Sequence, residues 1–247
     1  MSDTAGSLPL VEELPWDSKF FGFSIGRINA LRPSGAELPA AISECRSRGI
    51  RCAYLLCAGD AVASITSAVR QGFRLVDLRV TLDGKVSPTA AKAGGARRAK
   101  SEDFPDLSRL ARTAFEQSRF FVDGRFPRER VEDLFECWME RDLESANGVV
   151  AISERAGKIA GFASGLIGSD GSARVGLVGV APGLRGLGVG REVVTGLLTF
   201  FAKQGAGNVG VVTQGRNHAA LRLYEEFGFR TSSIEIWLHW WLDENPV

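Results

Sequence analysis

VGLVGVAPGLRGLGVGREVV, residues 175–194, is the stretch on which the reading of this chain turns. An apolar run suited to a strand leads into Arg185-Gly186-Leu187-Gly188-Val189-Gly190, and an apolar-periodic segment suited to a helix follows at once. Glycines at alternate positions let the backbone bend and present its N–H groups. At a helix N-terminus those groups, together with the helix dipole, form a seat for phosphate. The stretch therefore predicts a site for a phosphorylated cofactor.

Two common phosphate motifs do not describe it. A dinucleotide site needs GxGxxG between a strand and the helix that follows. The literal match in this chain is GAGNVG, residues 205–210, which follows a helical pattern and precedes a strand pattern, so it reads as a loop. A Walker loop needs GxxxxGK followed by Ser or Thr, and the chain contains none.

The rest of the composition sets bounds. The chain has 247 residues, 45% hydrophobic and 24% charged, with a formal net charge of +1. That is the make-up of a globular protein of one large or two small domains. The balanced charge gives no general electrostatic case for nucleic acid or an anionic membrane. The four cysteines, Cys45, Cys52, Cys57 and Cys137, form no CxxC pair and lie far in sequence from His218 and His239, so no metal site is expected. The N-terminal residues lack the basic and apolar regions of a signal peptide. No apolar run reaches the roughly 18 residues needed to span a bilayer. A cytoplasmic location is the resulting expectation.

Residues 86–100, VSPTAAKAGGARRAK, read as a linker between a small domain at 1–85 and a larger one at 101–247. In the first part, residues 20–28 look extended, Leu38, Ala41, Ile42 and Cys45 follow helical spacing, and CAYLLC, residues 52–57, reads as a buried strand. Val62, Ile65 and Val69 mark a helix ended by Gly72. Residues 73–82 return to strand, with Asp83-Gly84 as a turn. In the second part, Leu107, Leu110, Ala111, Ala114 and Phe115 mark a helix with Asp103 as N-cap ahead of Pro105. Val131, Leu134, Phe135, Trp138 and Met139 mark another. VVAISER and KIAGFASGLIG pair as a hairpin around Ala156-Gly157. Val193, Val194, Leu197, Leu198 and Phe201 form the buried face of the helix after the glycine loop. A strand at NVGVVTQG, a short helix from Asn217 to Glu226 and the aromatic strand SIEIWLHWWL complete the chain.

Arg185-x-x-Gly188-x-Gly190, preceded by Val178-Gly179-Val180-Ala181-Pro182, resembles the acetyl-CoA loop of the GCN5-related N-acetyltransferase (GNAT) family. Asn217, Tyr224 and Gly228-Phe229 follow in the order of that family's second signature. The resemblance implies an α/β (α+β) fold with a mixed central sheet flanked by helices, here preceded by a smaller α/β half-domain. It implies that Val178, Gly179 and Val180 pair with the pantetheine arm in the manner of an added strand. The N–H groups from Arg185 through Gly186, Leu187, Gly188, Val189 and Gly190 would hold the pyrophosphate. Arg191 is a further candidate for a phosphate, and Asn217 for the pantetheine. Tyr224 would be the general acid for the departing thiolate, a role suited to a phenol that keeps its proton at neutral pH. Its plainer reading is a helix aromatic packed among Ala220, Leu223 and Phe227.

LPWDS at 14–18 with FFG at 20–22, AFEQSRF at 114–120, and VTQ at 212–214 ahead of NxAAL at 217–221 are similar to the dTDP-fucosamine acetyltransferases within that family. Those enzymes acetylate the 4-amino group of a nucleotide-linked deoxy sugar for surface polysaccharide. The resemblance implies an acidic residue on the last strand of the small domain facing the amine, here Asp77, with Asp123 and Glu116 as weaker candidates for the base. A nucleotide sugar brings a pyrophosphate that calls for arginine, for which Arg119 and Arg125 are candidates. Thr213 and Gln214 are candidates for the pocket wall. Cys137, on an amphipathic segment without a neighbouring histidine, gives no support to a cysteine nucleophile. Trp237, Trp240 and Trp241 read as core or as the interface of a homodimer. A peptide amine, an aminoglycoside or non-catalytic acyl-CoA binding are the alternatives.

Overall fold

A computed structural model describes residues 9–86 and 95–242. The chain forms two compact units: one of Met1–Arg79, Val122–Pro127 and Ile234–Val247, the other of Val80–Phe121 and Arg128–Ser233. This division differs from the expected domains at 1–85 and 101–247. It falls inside two strands, and it gives a six-residue piece of the central chain to the first unit. Most of the linker expected at 86–100 lies outside the described residues, and its end is not linker: Arg97–Arg98 pairs as a strand with residues 151–152. Arg97 holds that place by donating to both oxygens of Asp103 and to Glu154.

In the first unit, strand β1 (Val11–Glu13) lies antiparallel to β2 (Ile25–Ile28), and β2 parallel to β3 (Cys52–Ala58). The C-terminal part of β10 (Arg230–Trp241) runs antiparallel to β3, with Trp241 opposite Cys52. The first part of β4 (Arg74–Lys85) is next beyond β10. Helices α1 (Pro15–Phe21), α2 (Glu37–Ser47) and α3 (Val62–Arg70) connect these strands. Leu38, Ala41, Cys45, Ala53, Leu55, Leu238 and Trp240 are buried in one cluster.

Three expectations for this part need correction. Residues 20 and 21 are helical, because Pro15 starts α1, Trp16 stacks on Phe20 one turn later, and Gly22 ends it in the left-handed conformation. In α3, Val62 and Val69 are exposed, while Ala68 is buried and Ile65 packs partly buried against the core, so only part of the spaced set meets it. Asp83-Gly84 is not a turn, since β4 continues through Lys85. Gly84 is needed there for close approach, because a Cβ would sit 3.1–3.2 Å from the Phe229 ring.

In the second unit the strand order is β10, β4, β9 (Asn208–Gln214), β8 (Ser172–Val180), β7 (Lys158–Ile167), β6 (Gly148–Arg155) and β5 (Arg97–Arg98). Strands β6, β7 and β8 are antiparallel neighbours, whereas β8 and β9 are parallel, so the sheet is mixed. The hairpin between β6 and β7 turns at Ala156 and Gly157, both at positive φ, the geometry that matches strand twist. Helix α7 (Val189–Lys203) covers one face so closely that a Cβ on Gly161 or Gly165 would lie about 2.6 and 2.5 Å from Val189 and Phe201. Helices α4 (Phe104–Ala114) and α6 (Arg128–Glu144) serve the residues of opposite parity, Phe162 and Ser164. Val193, Val194, Leu197, Leu198 and Phe201 of α7 are all buried, as their spacing predicts. The short helices α5 (Arg119–Asp123) and α8 (His218–Glu226) complete the elements. Asp103 stands before α4, but its carboxylate is not a cap to that helix; it accepts from Arg97 and the Lys100 N–H instead. No described helix is long and apolar enough to cross a membrane.

Candidate active site

The glycine loop belongs to a place in the second unit where two parallel strands part. β8 and β9 are paired only from Ser172↔Asn208 to Val175↔Val211. Beyond Val175, β8 stays on β7, with Val178, Gly179 and Val180 opposite Ala163, Phe162 and Gly161. Among the described residues no strand lies on the β9-facing edge of residues 176–180, the kind of edge to which an extended ligand adds. At the far end of β9, Thr213 is buried and Gln214 half-buried.

The chain leaves β8 at Val180, makes a 3-10 turn at Pro182–Leu184 and enters α7. Gly186 and Gly188 have φ of +79° and +81°, where only glycine is unstrained. Gly190 lies inside the first turn of α7, and a Cβ there would make ordinary contacts of 3.5 Å with Leu223 and 3.7 Å with Val180. So two of the last three glycines serve the bend, at 186 and 188, and the third does not. Gly188 is the N-cap of α7, and among the described residues no side chain caps that helix. The N–H groups of its first turn are therefore left for a ligand, next to the positive end of the helix dipole. Leu187 is exposed and Val189 buried, so the loop shows its backbone while anchoring itself by one side chain. Arg185 is exposed, and among the described residues its Nε makes a long 3.5 Å approach to the Val180 carbonyl. Arg191 forms an ion pair with Glu226 and lies 6.0 Å from the Phe227 ring, so α8 already holds its guanidinium.

Helix α8 begins differently. Asn217 caps it, its Oδ1 accepting from the Ala220 N–H at 3.1 Å, which leaves the amide NH2 of the same side chain as a donor. Two turns on, Tyr224 is 3% exposed and its ring lies 5.7 Å from that of Phe229. Burial pushes the phenol well above its ordinary value, so it holds its proton through and beyond the neutral range.

The remaining candidates are divided between the units. Arg119 is half-buried in the second unit, with its guanidinium 4.2 Å from the Phe120 ring. Glu116, also there, pairs with Arg128 at 3.0 Å on the surface. Asp77 is buried in the first unit at 4% exposure. Arg125, in the same unit, lies 5.3 Å from the Trp241 ring. Asp123 is not placed as a free base: its Oδ2 accepts from His239 Nδ1 and from Trp241 Nε1, the latter at 3.1 Å. A cavity of about 930 Å³ in the second unit is an open groove at the other end of the strands, lined by Asp83, Lys85, Arg174 and Asn208 among others. It includes none of residues 178–190 or 213–224, and the strand-splitting geometry, not volume, marks the site.

With that geometry in place, comparison with known sequences decides the family: the model of the acetyltransferase (GNAT) family matches residues 104–229. The chain belongs to that family. This GNAT acetyltransferase is 27% identical over 231 residues to the dTDP-fucosamine acetyltransferase of Escherichia coli, covering 93% of this chain and 97% of that protein. It is 28% identical over 139 residues to the spore coat polysaccharide biosynthesis protein SpsD of Bacillus subtilis, covering 56% of this chain and 48% of SpsD, so it spans about half of that relative's length. A GCN5-related N-acetyltransferase from Sphaerobacter thermophilus shares its fold, with a TM-score of 0.64 over 93% of this chain and 75% of the other at 14% identity.

Asp142 and His239 are among the buried polar groups of the acetyltransferase that escaped the sequence reading. Asp142 is 1% exposed on α6 and bonds Ser164 of β7 at 2.6 Å. His239, fully buried on β10, is the partner of Asp123. Both left a signal. Asp142 stands three residues after Met139 on the apolar stripe of its helix, and His239 alternates with Trp237 and Trp241 on a strand read as core. Cys137 is half-buried, and burial followed by Glu140, Glu136 and Asp133 raises its thiol, which keeps the nucleophilic thiolate scarce.

Proposed function

We propose that this acetyltransferase moves an acetyl group from acetyl-CoA to a primary amine by direct attack, and that the amine is the 4-amino group of a nucleotide-linked deoxy sugar. The observation that carries the donor is the uncapped N-terminus of α7 beside the open edge of β8. The N–H groups of residues 188–190 suit a pyrophosphate, and the edge at Val178–Gly179–Val180 suits the amide-bearing pantetheine arm. Asn217 has one amide NH2 to give to that arm. Acetyl-CoA supplies the activated thioester carbonyl. Tyr224 gives its proton to the departing thiolate; burial keeps the phenol protonated at neutral pH, so the proton is there to give. Asp77 accepts the amine's proton in this reading, directly or through water. Positioning of the amine against the carbonyl carries most of the rate.

The acceptor rests on the relative aligned over nearly its whole length, which is named for a dTDP sugar. Arg119 and Arg125 would meet the nucleotide's pyrophosphate, with Thr213 and Gln214 on the pocket wall. An acetylation screen of nucleotide 4-amino sugars beside peptides and aminoglycosides, read by thiol release, tests this. Turnover confined to peptides or aminoglycosides would replace the acceptor, and no turnover with any amine would favour a binding module.

Tyr224→Phe tests the acid. The phenyl ring keeps the packing on Phe229, so the acetyl-CoA Kd should stay within about twofold while kcat falls roughly tenfold or more. An unchanged kcat removes Tyr224 from the chemistry.

A further inference from the structure

Strand β8 carries a bulge where it begins to leave β9. The register against β7 passes from Gly165↔Val175 to Ala163↔Val178, so the single residue Ser164 faces both Gly176 and Leu177. Side-chain directions agree. A Cβ on Gly176 would meet Ser164 and Asp142, and one on Gly179 would meet Phe162 and Ala114, all on the α4 and α6 face. Three residues apart, these positions would point to opposite faces of a regular strand. The extra residue restores the phase, and a bulge bends and twists the strand that carries it.

A bulge leaves an N–H outside the ladder, and here it is taken by a side chain. The Leu177 N–H donates to Ser164 Oγ at 2.9 Å. The Ser164 hydroxyl in turn donates to Asp142 Oδ2 at 2.6 Å. The other oxygen of Asp142 accepts from Arg141 at 2.9 and 3.2 Å. Ser164 is wholly buried and Asp142 nearly so. A carboxylate at that depth is retained only with its oxygens satisfied, and it polarises the hydroxyl toward accepting the peptide N–H. Gly176 leaves no room for a methyl group between these oxygens, since a Cβ would lie 2.9 Å from each.

We propose that Asp142 and Ser164 are positioning residues. They pin the bulge at Leu177 and thereby set the edge of residues 178–180 at which the donor substrate pairs. This rests on the reading of that edge as the acetyl-CoA slot, but the pin itself is a property of the free protein. Neither residue touches substrate in this assignment; both act through the β8 backbone.

The test uses Ser164→Ala, Asp142→Ala, Asp142→Asn and Gly176→Ala in the full chain, each checked for folding by circular dichroism. The first readout is hydrogen exchange of the Leu177 amide without ligand, expected to speed up about tenfold or more in both alanine variants at 142 and 164. The second is acetyl-CoA affinity by calorimetry, expected to weaken about tenfold, with kcat/KM for the donor falling up to about a hundredfold through misplacement of the edge. The acceptor KM should stay unchanged. Asp142→Asn keeps an oxygen for the Ser164 hydroxyl and should recover most of the loss. Gly176→Ala keeps the hydrogen-bonding groups but crowds them, and should reproduce the donor defect. It serves as the deciding variant if Asp142→Ala does not fold. Folded variants with wild-type Leu177 exchange and wild-type donor affinity overturn the pin. If the wild-type protein itself does not bind acetyl-CoA, the slot reading falls, while exchange at Leu177 still decides whether the pin exists.

Discussion

Gly188→Asp is expected to leave the protein folded and to remove acetyl-CoA binding. Gly188 is the N-cap of α7 at φ +81°, and a Cβ there meets nothing within 4 Å. The substitution thus creates no clash. Its strain is that of one left-handed residue, about 1–2 kcal/mol in general and least for Asp and Asn. Against that, Asp is a favoured cap and its negative charge suits a helix N-terminus. The two nearly offset, so the thermal midpoint should move by no more than about 4 °C. Binding has no such compensation. The new carboxylate takes the N–H groups that would hold the pyrophosphate and sets a charge of the same sign beside it, where a pair of unit charges some 5 Å apart repel by about 3 kcal/mol at an effective dielectric of 20. A rise in Kd of at least about a hundredfold follows. Calorimetric titration with acetyl-CoA measures it, with Gly207→Asp as the control, because Gly207 is equally open but lies ahead of β9. A Kd within about threefold of wild type would mean that the loop does not hold the donor's phosphates.

What could be read from the sequence was whatever short-range chemistry determines. The stripe of α7 followed from spacing alone, because Val193, Val194, Leu197, Leu198 and Phe201 are all buried. The turn at Ala156-Gly157 and the start of a short helix near Asn217 are local devices and were equally legible. Where the chain departed from expectation, a long-range contact or a competing local signal had won. Asp83-Gly84 has turn chemistry, but Phe229, far along the chain, needs the strand to continue past it. Phe20 and Phe21 read with the extended run to Ile28, but Pro15 and Gly22 bracket a two-turn helix that holds both. The parting of β8 from β9 and the bulge at Leu177 lay beyond reach, since both are statements about register between strands. The glycine bend and the helix that follows it were therefore legible, while the parted strand edge leading to them was not. The same holds for Asp123. As a residue it offered a carboxylate for catalysis; only the fold shows His239 and Trp241 occupying it.

That occupancy makes Asp123 a strut of the first unit, and its removal should be among the most damaging changes to stability. Asp123 and His239 have side-chain exposures of 1% and 0%. The ring of Phe126 lies 5.8 Å from that of His239 and 5.2 Å from that of Trp241, and the Tyr54 ring is 4.8 Å from His239, so water has little access. Asp123→Ala removes the buried acceptor that His239 Nδ1 and Trp241 Nε1 share. Breaking a buried pair by deleting one partner costs about 3–5 kcal/mol, a large share of an ordinary domain's stability. Asp123→Asn keeps an acceptor oxygen but loses the charge, and should fall between. The pH dependence has a definite sign. Burial alone would raise this carboxyl, but the bonds from His239 and Trp241 and the charges of His239 and Arg125 outweigh it, so its folded pKa lies below the ordinary value. A group depressed in this way contributes its full stability above its unfolded pKa of about 4 and loses it as the pH falls through the folded value. Urea unfolding of wild type and Asp123→Asn should therefore show their widest separation at neutral pH, narrowing as the pH drops below about 4. A gap under about 1 kcal/mol at pH 7 would deny the strut. If kcat fell while that gap stayed small, Asp123 would return to the catalytic candidates from which its two buried partners now exclude it.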